Sequence, residues 1–376
     1  MDFSDHPGSS QRHVFSLAPL GVWMRLIADS GGVSSKYWGK LAKVLAISAM
    51  FAPLRVVERL VYSRSRMERI RIDEAPLYIQ GFARSGTTHL LNLLAQDPQF
   101  ATVSTFQAMA APMFLTGRGW LERLIASRIP TTRPMDNMKV SLSLPQEEDV
   151  ALANSSHHSP AHLLSFPSRS QDFLEKYSTM RLNNDEMRQW EFAYLDVLRR
   201  ASFAGGRKRL LLKSPANLGR TAVLLRLFPD AKFVHIVRNP YVVYQSMTHM
   251  YKTMLSICQM DDANPDDVAA ITRDSYVWMM TQYMSDRELI PHGHLAEIRY
   301  EDLERDPLTE LARVYSELDL HDWEKAKERI EIYLESVAEY RKNTYEIDSS
   351  TIDLVNRDWG FAIDEWGYEP PKQAQH

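Results

Sequence analysis

Cysteine is almost absent from this chain, since Cys258 is the only one among 376 residues. A single cysteine excludes an intramolecular disulfide framework and a cysteine-based zinc site. The chain also lacks a run of about 20 apolar residues, which is the length that a membrane-spanning helix needs. Its first residues lack the basic and apolar regions of a signal peptide. These absences predict a cytoplasmic protein.

An excess of positive charge is missing as well. The chain has 44 Lys and Arg residues and 48 Asp and Glu residues, which gives a net charge of −4. We therefore predict no nucleic-acid partner and expect any anion site to be a local basic cluster. The length is sufficient for one large domain or two modest ones. The sequence leaves the oligomeric state open.

Residues 1–75 are interpreted as a helical N-terminal arm, followed by the main domain over residues 76–376. Within the arm, residues 36–65 have the pattern of two amphipathic helices interrupted at Pro53, with Lys and Arg flanking apolar side chains. One interpretation is an arm that packs on the core of the protein. The other is a surface that contacts a membrane peripherally or shields an apolar substrate.

After residue 76, short apolar runs alternate with helical patterns, which predicts an α/β fold with a central parallel sheet flanked by helices. The predicted strands are Leu77–Gln80, Ala101–Ser104, Arg209–Leu212, Lys232–Val237 and His294–Arg299. The predicted helices that follow strands are Thr87–Gln96, Leu218–Phe228 and Tyr241–Tyr251. Residues 105–207 break the alternation and are expected to be a largely helical insertion on the acceptor side, and residues 308–376 a helical C-terminal part.

The segment LYIQGFARSGTTHLL, residues 77–91, predicts an anion site. A buried strand leads into a Gly-x-x-x-x-Gly turn from Gly81 to Gly86 and then into a helix. This geometry directs backbone N–H groups and a helix N-terminus at a phosphate or sulfate group. The loop of nucleoside triphosphatases continues with Lys, whereas Thr87 stands here and the cation comes earlier, at Arg84. The loop therefore favours an anion other than a metal-bound triphosphate.

A second basic motif, RNPYVVYQS, follows the predicted strand KFVHIV. Arg238 at the end of the strand and Ser246 eight residues later on the next helix are placed to clamp a second phosphate from two sides. Two separated anion sites suit a nucleotide that is phosphorylated at two positions.

With these two motifs the sequence resembles the sulfotransferases, which use 3′-phosphoadenosine 5′-phosphosulfate (PAPS), and it looks closest to their bacterial branch. RSGTT matches the 5′-phosphosulfate loop of that family, RNPYVVYQS matches its 3′-phosphate motif, and LLKSPANL and RYEDLERDP stand in family order. The resemblance covers about residues 76–307. It implies the P-loop NTPase-like sulfotransferase fold, PAPS as co-substrate and no metal.

The resemblance also implies a set of nucleotide-binding residues. These are Arg84, Ser85, Gly86, Thr87, Thr88, His89, Arg238, Ser246 and, in the C-terminal segment YRKNTYEI, Lys342. Transfer of a sulfuryl group depends mainly on positioning and on neutralising charge, and Arg84 and Lys213 are the cations assigned to this task.

The acceptor hydroxyl needs a general base. The histidine that cytosolic relatives carry two residues after the lysine is replaced here by Pro215, and Asn217 stands where bacterial relatives often carry histidine. Glu147 of the PQEEDV segment is the first candidate, because the family motif places its acid there. Glu148 is the second candidate, and a histidine among residues 157–162 is the third.

The predicted function is transfer of a sulfuryl group from PAPS to a hydroxyl of a small, hydrophobic or lipid acceptor. Two alternatives are a P-loop kinase or NTPase, and a non-catalytic relative that binds a nucleotide. The kinase hypothesis predicts a lysine at position 87 and an acidic magnesium ligand, and the altered KSPAN loop favours the non-catalytic hypothesis. The apolar arm and the Met-rich and aromatic insertion favour a hydrophobic acceptor.

Overall fold

A five-stranded parallel sheet forms the centre of the protein in the computed structural model, which describes residues 13–371 apart from 128, 130, 131, 134, 137, 263, 264 and 340–346. The strand order is β2-β3-β1-β4-β5. The strands are β1 (Leu77–Gln80), β2 (Phe100–Ala101), β3 (Arg209–Lys213), β4 (Lys232–Val237) and β5 (Leu295–Arg299). The predicted α/β fold with a parallel sheet is confirmed.

Strand β1 lies in the middle of the sheet and is buried on both faces. Tyr78 belongs to the larger apolar core on one face, whereas Leu77 and Ile79 belong to a second core on the other face. This alternation follows from the two-residue period of a strand. A continuous apolar run such as LYIQ is typical of a strand that helices cover from both sides.

The topology brings three loops to one edge of the sheet. Leu77 pairs with Leu211 of β3 on one side and with Lys232 of β4 on the other. The chain passes from β1 to β2 and β3 on one side of β1 and then crosses to β4 and β5 on the other. In such sheets the ligand site lies at the carboxyl ends of the strands where the strand order reverses. The loops after β1, β3 and β4 therefore converge.

From residue 13 onward, where the structure describes it, the N-terminal arm forms four α-helices. They are α1 (Leu20–Asp29), α2 (Trp38–Met50), α3 (Ala52–Val61) and α4 (Arg64–Glu68). The predicted interruption lies at Phe51, and Pro53 occupies the first turn of α3, where its missing N–H costs no helical hydrogen bond. Among the helices in the described part of the chain, none is long and apolar enough to cross a bilayer.

Residues 105–207 are largely helical. Their helices are α6 (Thr105–Met109), α7 (Phe114–Gly117), α8 (Trp120–Ala126), α9 (Glu148–Ala153), α10 (Ser170–Tyr177) and α11 (Asn184–Ala204). Two of these helices begin at capping boxes, in which Ser104 pairs with Gln107 and Asn183 pairs with Glu186. Each box satisfies backbone N–H groups that the first turn of a helix leaves unpaired.

The remaining helices cover the sheet and form the C-terminal part. They are α5 (Thr87–Leu94), α12 (Thr221–Leu227), α13 (Pro240–Cys258), α14 (Pro265–Asp286), α15 (Tyr300–Arg305), α16 (Pro307–Glu317), α17 (Trp323–Ser336) and α18 (Ser349–Trp366). A short 3₁₀ helix, Pro215–Gly219, connects β3 to α12.

Candidate active site

The loop between β1 and α5 has a backbone conformation that its two glycines make accessible. Gly86 has φ +91°, and a Cβ atom at this position would lie 2.2 Å from the ring of Tyr300. A Cβ atom on Gly81 would lie 2.6 Å from the carbonyl oxygen of Ile236. Gly86 is also the N-cap of α5 and brings no side chain to cap it. Such a loop at a helix N-terminus favours an anion over its backbone N–H groups.

Arg84 turns away from the sheet toward two side chains from distant parts of the chain. Its Nε donates a hydrogen bond to Ser246 Oγ at 2.9 Å, and its guanidinium forms an ion pair with Asp136 at 2.7 Å. Arg84 itself has φ +71°, which is uncommon for a residue other than glycine. The structure thus brings together Arg84 and Ser246, which were predicted in two separate motifs, whereas the predicted partner of Ser246 was Arg238.

Arg238 lies on the other side of the same loop. It donates a hydrogen bond to the Arg84 carbonyl oxygen at 3.0 Å, and its guanidinium lies over the ring of Tyr300, 4.2 Å from the ring centroid. Tyr300 therefore separates Gly86 from Arg238. Sequence reasoning missed Tyr300, although its position directly after β5, at the same edge of the sheet, is a signal that could have identified it.

Lys213 joins the loop to the predicted base. It is the last residue of β3, and its side chain is only 3% exposed. Its Nζ lies 3.2 Å from Thr88 Oγ1 in the first turn of α5 and 2.5 Å from Glu147 Oε1. Glu147 is the N-cap residue of α9, and its side chain is 29% exposed. A cation and a carboxylate therefore meet beside the anion loop.

Glu148 is adjacent in sequence but has different surroundings. It is fully buried, and its two carboxylate oxygens accept hydrogen bonds from the Lys213 backbone N–H at 3.0 Å and from Asn217 Nδ2 at 2.5 Å. Burial, together with the neighbouring Asp149 carboxylate, raises the pKa of Glu148 to about 7. These bonds fix the end of β3 and the following turn, so Glu148 positions Lys213.

Asp149 completes a buried network beneath the site. It forms a two-pronged ion pair with Arg220, with oxygen–nitrogen distances of 2.7 and 3.1 Å, and it accepts a hydrogen bond from Ser214. Arg220 also donates to the Tyr177 carbonyl oxygen at 2.7 Å. Buried charges are retained when they are paired in this way. Neither residue was identified from the sequence, because nothing local distinguishes Asp149 from the two acids before it.

Two histidines of residues 157–162, His158 and His162, form hydrogen bonds with the nearby Ser156. His158 Nδ1 lies 2.8 Å from Ser156 Oγ, and His162 Nε2 lies 2.9 Å from the Ser156 carbonyl oxygen. Burial lowers the pKa values of both histidines to about 4. Burial also lowers the pKa of His89, which lies in the first turn of α5. The predicted nucleotide contact Lys342 lies outside the described residues.

A cavity of about 470 Å³ lies between the arm and the predicted acceptor-side segment. Its lining includes Val103 and Gln107, Ala151 of α9, and Ser155, which follows the end of α9. The carbonyl oxygen of Val103 accepts a hydrogen bond at 2.8 Å from the backbone N–H of Gln146, the residue before Glu147. The cavity therefore extends along α9, the helix that begins directly after Glu147.

The chain is similar to known proteins along most of its length. The model of the sulfotransferase family matches residues 76–325. The chain is 32% identical over 359 residues to the omega-hydroxy-beta-dihydromenaquinone-9 sulfotransferase Stf3 of Mycobacterium bovis and to that of Mycobacterium tuberculosis, covering 94% of this chain and 92% of each relative.

Two solved structures share the fold at low sequence identity. The sulfotransferase STF1 of Mycobacterium tuberculosis superposes with a TM-score of 0.65 and 19% identity over 91% of each chain. The sulfotransferase STF9 of Mycobacterium avium superposes with a TM-score of 0.66 and 16% identity over 98% of this chain and 99% of its own. Family model and relatives agree, and the chain belongs to the sulfotransferase family.

Proposed function

We propose that this enzyme transfers the sulfuryl group of PAPS to a hydroxyl of a hydrophobic, lipid-like acceptor. The observation that carries the proposal is the position of Lys213. Its ammonium group contacts Thr88 of the anion loop at 3.2 Å and Glu147 at 2.5 Å. One cation thus lies between a site suited to the sulfonated phosphate and a carboxylate suited to deprotonating an alcohol.

The donor nucleotide is assigned to the loop and to the arginines that flank it. The backbone N–H groups of Ser85, Gly86 and Thr87, together with the Thr88 hydroxyl and the adjacent His89, would surround the 5′-phosphosulfate. This arrangement suits an anion, because the groups stand at the start of α5.

Arg238 and Ser246 would bind the 3′-phosphate of the nucleotide, and Arg84 beside them would neutralise charge on the sulfonated 5′-phosphate. Their support is the Arg84–Ser246 hydrogen bond of 2.9 Å and the hydrogen bond from Arg238 to the Arg84 carbonyl oxygen at 3.0 Å. Arginine suits such a site because its planar fork can bind two phosphate oxygens at once.

The chemical step follows from these assignments. Glu147 takes the proton of the acceptor hydroxyl as the acceptor oxygen forms a bond to sulfur. The bond between sulfur and the bridging oxygen breaks, and adenosine 3′,5′-bisphosphate leaves with the negative charge. Lys213 and the loop N–H groups stabilise this charge where it develops, which is the contribution that lowers the barrier most in transfers of this kind. The products are the sulfate ester and protonated Glu147.

The acceptor class is inferred from the relatives and the cavity. The curated relatives are named for an omega-hydroxylated dihydromenaquinone, a hydroxyl on a long apolar molecule. The lining of the cavity of about 470 Å³ includes the apolar residues Val103, Ala151, Val197 and Ala201, along with charged residues such as Arg59 and Arg200. The apolar part of this lining suits an apolar chain, since burial of apolar surface drives its binding. We therefore assign the acceptor to the hydroxylated, chain-bearing lipids.

A sulfate-transfer assay tests the proposal. Purified enzyme is incubated with PAPS carrying radiolabelled sulfur and with an omega-hydroxylated prenyl quinone, a long-chain alcohol, a sugar or a phenol. We expect sulfate esters from the first two. Binding of adenosine 3′,5′-bisphosphate without transfer to any acceptor would contradict the assigned activity, and preferential binding of ATP with magnesium would contradict the assigned donor.

A matched pair of lysine variants tests the residue assignment. Lys213→Met should lower turnover by at least about a hundredfold, because a cation that neutralises transition-state charge is lost. Lys208→Met changes an exposed lysine just before the same strand and should leave turnover unchanged. Equal rates for the two variants would refute the role of Lys213.

A further inference from the structure

Helix α3 of the arm has its polar and apolar faces reversed. Its buried residues are Arg55 and Glu58, whereas its valines and its second leucine are exposed. The exposed fractions are 54% for Val56, 46% for Val57, 76% for Leu60 and 45% for Val61. A helix on the surface of a water-soluble domain normally shows the opposite pattern.

Specific partners hold the reversed helix in place. The Glu58 carboxylate accepts hydrogen bonds from the Thr116 backbone N–H at 2.7 Å and from its hydroxyl at 2.5 Å, and it pairs with Arg200 at 3.0 Å. Arg55 donates to the Leu17 carbonyl oxygen at 3.3 Å. These buried contacts fix the orientation of α3 about its own axis. Its apolar side chains face outward as a result.

Neighbouring helices also expose apolar side chains. On α2, Trp38 is 65% exposed and Met50 is 70% exposed. Trp120 and Leu124 are exposed on α8, whose neighbour α7 packs against α3. Several large apolar side chains exposed on helices that pack together are typical of an interaction site. We call the exposed apolar residues of α2 and α3 the arm face.

Positive charge accompanies the arm face. Residues 36–71 contain nine Lys and Arg and only two Asp and Glu, a net charge of +7 in a chain whose total is −4. Seven of these nine basic side chains are exposed, and one of the two acids, Glu58, is buried. Apolar side chains surrounded by basic ones, with a tryptophan among them, suit a surface of anionic lipid.

The arm face also adjoins the opening of the cavity. Arg59 and Tyr62, at the end of α3, line the cavity together with Arg64 of α4, and Leu60 and Val61 lie between the first two. The opposite wall is α9, which Glu147 caps. A surface resting on a bilayer through α3 would therefore place the cavity opening at the level of the lipid.

We propose that the arm face docks the enzyme on an anionic lipid bilayer, so that the acceptor passes from the bilayer into the cavity without crossing water. This proposal rests on the proposed function for the identity of the acceptor. The docking itself depends only on the arm face and its basic rim. The bilayer is the occupant that matches both the apolar side chains and the positive charge.

Vesicle flotation tests the docking. The double variant Val57→Glu, Leu60→Glu is compared with Leu289→Glu, Ile332→Glu, a matched pair of exposed apolar residues outside the arm, 57% and 62% exposed. Vesicles contain phosphatidylcholine alone or mixed with phosphatidylglycerol. We expect partitioning onto the mixed vesicles to fall roughly a hundredfold for the arm variant only, about tenfold for each apolar side chain lost. Added salt should weaken binding of the wild-type protein.

Several outcomes would overturn the proposal. They are equal partitioning of the two double variants, equal binding of the wild-type protein to neutral and anionic vesicles, and a dimer in sedimentation velocity that only the arm variant dissociates. The last outcome would assign the arm face to a second copy of the chain. If the glutamate variant fails to fold, Val57→Ser, Leu60→Ser retains the test, with an expected loss of about a hundredfold, since the same two apolar side chains are lost.

Activity measurements separate this proposal from the proposed function. The arm variant should lose transfer to a hydroxylated lipid in vesicles and keep full transfer to a short, water-soluble alcohol carrying the same terminal group. Vesicle binding without transfer to either acceptor would refute the function and support the docking. Transfer to both acceptors at wild-type rates by the arm variant would refute the docking alone.

Discussion

Replacing Glu147 with glutamine removes the proposed base while keeping its shape. The amide oxygen of glutamine can still accept the hydrogen bond from Lys213 Nζ, which is 2.5 Å long in the wild-type protein. What is lost is the ability to take a proton from the acceptor. A positioned general base contributes about 10²- to 10⁴-fold in rate, or roughly 3–5 kcal/mol of barrier. We therefore expect turnover to fall by at least about a hundredfold.

Binding should change little in the same variant, whereas stability should fall. The side chain of Glu147 is 29% exposed but that of Lys213 is only 3% exposed, so the neutral amide leaves a buried ammonium group without its counter-ion and should lower the free energy of unfolding by up to about 3 kcal/mol. Affinity for adenosine 3′,5′-bisphosphate should be retained, because Lys213 and Thr88 remain in place.

Three measurements make this prediction decisive. Initial rates with radiolabelled PAPS and a hydroxylated lipid give turnover, calorimetric titration with adenosine 3′,5′-bisphosphate gives affinity, and urea unfolding gives stability. Glu335→Gln, on an exposed part of α17, is the control and should behave as the wild-type protein. Turnover of Glu147→Gln within about threefold of normal would refute the assignment, given the 10²-fold minimum expected of a base. Glu148 and the histidines of residues 157–162 would then become the candidates.

Three further predictions concern the groups that support the site. Because burial raises the pKa of Glu148 from 4.5 to about 7, the folded chain keeps a proton that the unfolded chain loses between these pH values. The free energy of unfolding should therefore fall by up to about 3 kcal/mol as pH rises through this window, and Glu148→Gln should flatten the change in urea unfolding. Asp149→Asn leaves Arg220 buried with a weakened partner and should cost about 3–5 kcal/mol in the same assay. Gly86→Ala, whose Cβ would meet Tyr300 at 2.2 Å, should weaken calorimetric binding of adenosine 3′,5′-bisphosphate at least about tenfold.

Each of these predictions can fail in a recognisable way. Parallel pH profiles for Glu148→Gln and the wild-type protein would show that Glu148 does not titrate in this range. A loss below about 1 kcal/mol in Asp149→Asn would mean that water reaches Arg220 on unpairing. Gly360→Ala is the control for the loop glycine, since a Cβ there meets nothing within 4 Å, and equal affinities for the two glycine variants would refute the steric argument.

The sheet was largely predictable because its strands are continuous apolar runs. The bounds of β1 and β4 match the prediction, since Pro76 and Gly81 flank the first run, and the second begins at Lys232 and is followed by Arg238. The second strand was predicted as Ala101–Ser104 and is Phe100–Ala101 instead, because Ser104 caps α6. A capping serine and a strand-ending serine look alike until the capping bond is seen.

The arrangement of the site was less accessible to sequence reasoning. Glu147, Glu148 and Asp149 are consecutive acids, yet one faces Lys213 Nζ, one holds the Lys213 backbone and one pairs with Arg220. Their separate tasks depend on contacts with Lys213 of β3 and with Arg220, the residue before α12, which lie more than 60 positions away. The local sequence pattern identifies the three consecutive acids as a cluster. It does not show which partner each of them contacts.

Sequence similarity to known proteins argues against the two alternative functions. A kinase or NTPase was one of them, and a non-catalytic nucleotide-binding relative was the other. A family match over residues 76–325 and curated sulfotransferase relatives at 32% identity decide against both. Thr87 in place of lysine, which distinguishes this loop from that of a triphosphatase, was therefore an informative residue.

The reversed helix α3 also changes what mutational tolerance should look like along the chain. In most helices the apolar positions resist substitution and the charged ones accept it. Here Val56 and Leu60 should accept polar residues at the level of folding, whereas Glu58 should accept almost none, since its carboxylate is fully buried against Thr116 and Arg200. A selection for folded protein and a selection for lipid-dependent activity would therefore retain opposite faces of the same helix.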